Sequence, residues 1–331
     1  GALTLENTTG VVSNEGTINK INFNAATVFN NSGTVNDAAI AQGATVNNLS
    51  SGVLSVPEDM WKGTLNNWGE VDGTMNIASS AFTFYNAGTF NGKVKTASAN
   101  GGKVINDGVI NASGNNTVAM SASGSAKMVN NGVINLGAEG TSDTGMVAMQ
   151  LESNAKSDAV IENNGAINIY ASNSYAFSQL GSNGHIVNNG TVYIDDSVTN
   201  SGFIKQQGKT IEGSGENGDG TEVHYVDFTA PTEPTVNNGT TTVTADSTAT
   251  SSGTNDLSGY VVGTSADGSA GQLKVSNASM NGVGINTGFT AGTADTTVSF
   301  DNVVEGNNLS DASAIQSTSV VWNANGSQDA D

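Results

Sequence analysis

Along the first two thirds of the chain, short apolar runs alternate with polar corners built from Asn and Gly. The phrase is clearest in Val104-Ile105-Asn106-Asp107-Gly108-Val109-Ile110-Asn111 and in Met128-Val129-Asn130-Asn131-Gly132-Val133-Ile134-Asn135. It returns at Val160–Ile169 and Ile186–Ile194, and earlier at Ser13–Asn19, Phe29–Asn36, Leu65–Val71 and Phe84–Asn91. Corner glycines read at 16, 33, 52, 69, 88, 108, 132, 165, 190 and 202, so most successive corners are close to 20 residues apart. A repeat of that size marks solenoids and arrays. Asn-Gly between apolar runs is also a hairpin signal, and a β-meander is the competing reading. The runs are only three to five residues long and always come in the same order, which favours coils stacked as a parallel β-helix. Such stacking predicts ladders of side-chain amides among Asn19, Asn36, Asn111, Asn135 and Asn168, with Val and Ile of successive coils stacked inside. It also predicts that the corner glycines are there to supply positive φ.

Two intervals are longer than the rest. Ala112–Lys127 and Gly137–Asp158 read as loops or extra strands projecting from one coil edge, the second holding Met146, Met149 and Leu151. On this reading Ser121 is a loop position, where an Asp should be tolerated. Segment Tyr170–Leu180 is the most aromatic stretch of the region. Its Tyr170, Tyr175 and Phe177 belong either to one more strand with partly buried rings or to a surface contact patch. From Lys205 the character changes: 32 of the 44 Asn precede that residue, and Ser and Thr rise after it. The division expected is a regular Asn/Gly repeat over 1–204, a junction over 205–235 containing Pro231 and Pro234, and a less regular continuation of the β-helix over 236–331. In that last part Leu273–Val275, Val283–Ile285, Thr297–Phe300 and Ser319–Trp322 alternate with period two. The fold class is thus all-β, a right-handed parallel β-helix with loop excursions.

Composition narrows the function. Apolar residues make up 36% of the chain and aromatics 6%, enough for many thin coils but not for a thick layered core. All ten basic residues are Lys and there is no Arg, against 30 acidic residues, for a net charge of −20. Nucleic acid is therefore not expected as a partner, nor insertion into an anionic membrane surface, because both need clustered positive charge. No Cys is present, which removes disulfide frameworks and thiolate metal sites, and two His leave little for a metal centre. No cofactor is expected. Asp195-Asp196, Asn183-Gly184-His185 and His224 beside Glu222 are the nearest approaches to catalytic chemistry. None continues into a recognisable nucleophile, phosphate-loop or metalloprotease pattern, so a non-catalytic protein is expected. Gly213–Gly220 faintly resembles a calcium-binding nonapeptide, in a single copy.

The Asn-Asn-Gly-x-Ile-Asn corners over 13–204 resemble the passenger domains of type V autotransporters. With the tail Thr318–Gly326, they are most similar to the large fusobacterial autotransporter adhesins of the arginine-inhibitable type. The resemblance implies a cell-surface passenger displayed from the outer membrane, acting in cell adhesion, coaggregation and virulence. Its expected partners are proteins rich in Lys or Arg, or glycan receptors, on other cells. It implies a monomeric rod that does not itself insert into a membrane, and a chain with neither signal peptide nor barrel reads as a fragment. A pure structural spacer, a hemagglutinin-type solenoid secreted by a partner barrel and a glycan-active β-helix remain the alternatives.

Overall fold

A computed structural model describes residues 3–5, 11–23, 26–40, 43–57, 60–97, 101–234, 242–245, 255–256, 260–263, 272–275, 278–281, 283–286, 304–305, 309–311 and 316–317. Every regular element among them is a β-strand, and the pairing is that of a right-handed parallel β-helix. Two compact units are formed, residues 55–232 and residues 1–54 with 233–331. The expected segment 1–204 is thus shared between them.

In unit 55–232 the first wall consists of Thr64–Asn67, Thr83–Asn86, Lys103–Asn106, Lys127–Asn130, Val160–Asn163 and His185–Asn188, paired in parallel and in register. The second wall runs Glu70–Ile77, Thr89–Thr96, Val109–Ala112, Val133–Leu136, Ala166–Ile169 and Thr191–Ile194. Alternation decides what points inward. Leu65, Phe84, Val104, Met128, Ile161 and Ile186 stack from the first wall, facing Val71, Phe90, Ile110, Ile134 and Ile167 from the second. All are buried, and Phe84 meets Phe90 edge to face at 5.0 Å across the core.

The long intervals hold a third wall. Val118–Ala122, Val147–Leu151, Tyr175–Gln179 and Gly202–Ile204 pair in parallel with one another, continuing the last turn of Thr89–Thr96. Met120, Met146, Met149 and Leu151 are fully buried. The extra residues therefore widen the core, and exposed turns remain at 113–116, around Ala138–Gly140 and at 153–158. In the shorter coils one eight-residue strand serves the second and third walls together, bending at Gly73, whose φ is +125°. Ser121 is half-buried in this third wall, where its Oγ donates to Glu152, so it is not a loop position.

At each corner an Asn is buried at 0% exposure and hydrogen-bonds its counterpart in the next coil. The column Asn67, Asn86, Asn106, Asn130, Asn163, Asn188 is linked by Nδ2 to Oδ1 bonds of 2.7–2.9 Å and ends on the Glu216 carbonyl. The expected outer ladder forms as well, Asn168 donating to Asn135, Asn135 to Asn111 and Asn111 to Asn91. A third column joins Asn189, Asn164, Asn131 and Asp107. The corner glycines, however, do not have positive φ. A Cβ on Gly88, Gly108, Gly132, Gly165 or Gly190 would lie 2.1–2.2 Å from the carbonyl oxygen of the glycine one coil earlier. Close approach of backbones, not a left-handed conformation, demands glycine there. Gly202 is no corner: it opens a third-wall strand, and the corner after Gly190 is formed by 213–215, where Gly215 N–H donates to the Asn188 carbonyl.

The other unit repeats the scheme with tighter coils. Val11–Asn14, Val28–Asn31 and Thr45–Asn48 form one row, Leu3–Leu5, Ile21–Phe23 and Ala38–Ile40 another, and Asn14, Asn31 and Asn48 a short buried ladder at 2.8 Å. Asn36 donates to Asn19 on the outside. From Thr242 the described strands again pair in parallel in three rows, as in Thr242–Ala245 with Gln272–Val275 and Tyr260–Gly263 with Gly284–Asn286. This stack meets the first antiparallel, through Ser13 with Val261 and Asn14 with Tyr260. The expected strands at 297–300 and 319–322, and the tail 318–326, lie outside the described residues.

Candidate contact surfaces

The three aromatic residues singled out in the sequence have different fates. Phe177 points into the core at 0% exposure, stacked over Met149, and touches no outer surface. Tyr175 is half-buried two positions before it on the same third-wall strand. Tyr170 lies just after the second-wall strand Ala166–Ile169, and its ring is 6.1 Å from that of Tyr193. Tyr193 was missed in the sequence. It occupies the register position of the outer Asn ladder, opposite Asn168, and is 49% exposed. Its hydroxyl donates to Asp195 at 3.2 Å, and this bond, before the charge of Asp195, raises its pKa. Asp195 also accepts from the Ser197 hydroxyl and N–H, which lower its own pKa. The Asp195-Asp196 pair thus belongs to an exposed turn capped by Asp195, flanked by two tyrosines.

The second surface is made by the expected junction. After the 213–221 turn, residues 222–228 run back across the outside of the first wall. Asn189 donates to the Val223 carbonyl at 2.8 Å, and Glu162 accepts from His224 Nδ1 at 2.7 Å and from the Tyr225 N–H at 3.2 Å. Further along, Val226 and Phe228 pack on a cluster formed by Tyr85, Ile105 and Val129. The Phe228 ring lies 5.6 Å from that of Tyr85 and 5.7 Å from the Lys103 ammonium, which also donates to the Asp227 carbonyl. Tyr85, Ile105, Val129 and Glu162 are outward-pointing strand positions, yet each is 5% exposed or less, because this segment covers them. Burial, aided by the Asp107 charge and hydrogen bond, pushes the Tyr85 hydroxyl up to about 12.

The histidines both lie under or on this strap. His185 Nδ1 is 3.1 Å from Glu212, and its ring stacks on Tyr225 at 4.3 Å. His224 stands between Glu162 and Glu222. In the glycine-rich turn, Asp219 accepts from the N–H groups of Gly213 and Thr221 and so closes its own loop. The sequence signal for the strap was the doubled apolar pair Val104-Ile105, Met128-Val129 and Ile186-Val187: a strand with only one buried face should alternate.

Residues 81–199 match the family described as the BigA fourth domain, and 259–331 match the BigA beta sandwich domain. Over 238 residues, 68% of the chain, the sequence is 40% identical to a protein of Salmonella typhimurium strain LT2 described, provisionally, as the surface-exposed virulence protein BigA. The chain is similar to BigA. It spans only 11% of that protein's length. The first matched region covers the three-walled coils with the longest amide column. The second falls mostly outside the described residues, and the strands described there, Tyr260–Gly263 with Gly284–Asn286 among them, pair in parallel. No solved structure matches the chain.

Proposed function

We propose that this chain is a segment of a bacterial surface protein, a non-catalytic β-helical stalk that carries adhesive side chains to other cells. The observation that carries the reading is its 40% identity, over 238 residues, with a protein provisionally described as a surface-exposed virulence protein. An autotransporter-type passenger, secreted through a barrel of its own, is the finer form of the same proposal. The exposed turn at Tyr193, with Tyr170, Asp195 and Asp196, is the contact face we assign in place of the Tyr170–Tyr175–Phe177 patch. Its carboxylates and aromatic rings suit the guanidinium or ammonium groups of Lys- and Arg-rich protein partners. A net charge of −20 steers such partners towards the chain at low salt.

Attachment of beads coated with the chain to other bacterial and host cells tests this. Arginine should inhibit more strongly than NaCl of equal ionic strength, and Tyr193→Ala with Asp196→Asn should lower attachment severalfold. Absence of attachment would leave the stalk as a spacer. Inhibition by arginine no greater than by NaCl would remove the guanidinium contact.

A further inference from the structure

Glu162 is the most deeply buried carboxylate described, at 1% exposure, and it points outward from the first wall into the strap. Its oxygens accept from Asn164 Nδ2 at 2.8 Å and from the Tyr225 N–H at 3.2 Å, both neutral donors. A carboxylate out of water needs a counter-charge as well as hydrogen bonds. The group within reach is His224, with Nδ1 at 2.7 Å; its Nε2 lies 3.2 Å from Glu222. Each ring nitrogen thus faces a carboxylate oxygen, and only the doubly protonated imidazolium donates to both.

We infer that residues 222–228 form a proton-operated strap: charged His224 pins them to Glu162, and loss of that proton releases them from Tyr85, Ile105 and Val129. The charged groups around the latch act in one direction. Glu162 from the wall and Glu222 from the strap hold the His224 proton, raising its pKa first through the Glu162 bond. Glu212 and Asp219, from the preceding turn, act on the adjoining Tyr225 ring, against which His185 stacks. A histidine whose folded pKa is raised contributes its full stabilisation below the ordinary value near 6.5, and loses it as pH climbs through the folded value. The strap is therefore closed in mildly acidic surroundings and loosens as pH climbs through the raised folded value. Opening uncovers an apolar stripe across consecutive coils, beside the Lys103 ammonium.

Hydrogen–deuterium exchange of the whole chain, corrected for the intrinsic pH dependence, reads the strap directly. Protection of the 223–228 amides should fall severalfold between pH 5.5 and 8, while that of Lys127–Asn130 stays constant. His224→Gln, at a surface position, should hold the strap at the loosened level at both pH values. Glu162→Gln removes the buried charge, so its strap should show no pH step. Equal protection of the unmodified chain at the two pH values would overturn the inference, and so would a step that survives in His224→Gln.

Discussion

Asn130 has no contact with solvent, and its amide is fully committed. Nδ2 faces Asn163 Oδ1 at 2.7 Å and the carbonyls of Gly132 and Ala166, while Oδ1 accepts from Asn106 at 2.7 Å. Replacing it with Asp removes the donors and sets a carboxylate among three acceptor oxygens. We expect Asn130→Asp to cost about 3–5 kcal/mol, measured by chemical denaturation, and to recover partly at low pH as the carboxyl gains a proton. Ile134→Asp, which places a charge between Ile110 and Ile167, should cost several kcal/mol, on the order of the largest single-site effects. Ser121→Asp will not be neutral, because the new carboxylate would face Glu152. Gly132→Ala should destabilise by roughly 2 kcal/mol or more, from its clash at 2.1 Å with the Gly108 carbonyl and not from backbone strain.

Among the elements, the first and second walls were legible residue by residue, since each first-wall strand ends in a fixed Asn after an inward apolar residue and the second-wall strands alternate apolar and polar positions. The third wall was half legible. Its strands are built from Ala, Ser and Met, as in Val118-Ala119-Met120-Ser121-Ala122, and small residues read as loop until a neighbouring coil buries them. The strap's own residues were not legible, although the doubled apolar pairs of the wall signalled that something covers it. Val223, His224, Tyr225 and Val226 form no ladder, and only the wall they cover gives them a partner. Phe228 locks that contact, so Phe228→Ala should lose about 1–2 kcal/mol. Tyr85 offers a second readout. Its ionisation, raised to about 12, means that the unit keeps the full Tyr85 contribution up to pH 10 and loses it as pH rises towards 12. Uncovering the ring in Phe228→Ala should bring the phenolate transition, followed by absorbance at 295 nm, back towards 10.

On the scale of the whole chain, the decisive quantity is what is held constant from coil to coil. Equivalent positions are 17 residues apart at Asn14, Asn31 and Asn48, and 19, 20, 24, 33 and 25 apart along the longer column. The hydrogen bonds stay at 2.7–2.9 Å throughout. Coil length varies and corner geometry does not. The chain's fixed features are thus read at the corners, and its variable surface lies in whatever is strung between them. Tyr193 and the positions under the strap were hidden in the sequence because they occupy ordinary repeat positions, Tyr193 opposite Asn168 and Tyr85, Ile105, Val129 and Glu162 in register on the first wall.

That constancy makes the corner column an indexing device. Each Asn and its close-packed glycine report position to the next coil, regardless of how many residues have passed since the last one. New sequence can therefore enter a coil without displacing its neighbours, as the tip at Ala138–Gly140 already illustrates. A flexible peptide grafted between Glu139 and Gly140 should cost only about 0.6 kcal/mol per doubling of loop length, visible as a small shift in melting temperature. The same peptide placed between Asn130 and Gly132 should abolish folding of the unit. A chain built this way can change what it carries between the corners while the scaffold goes on counting in the same steps.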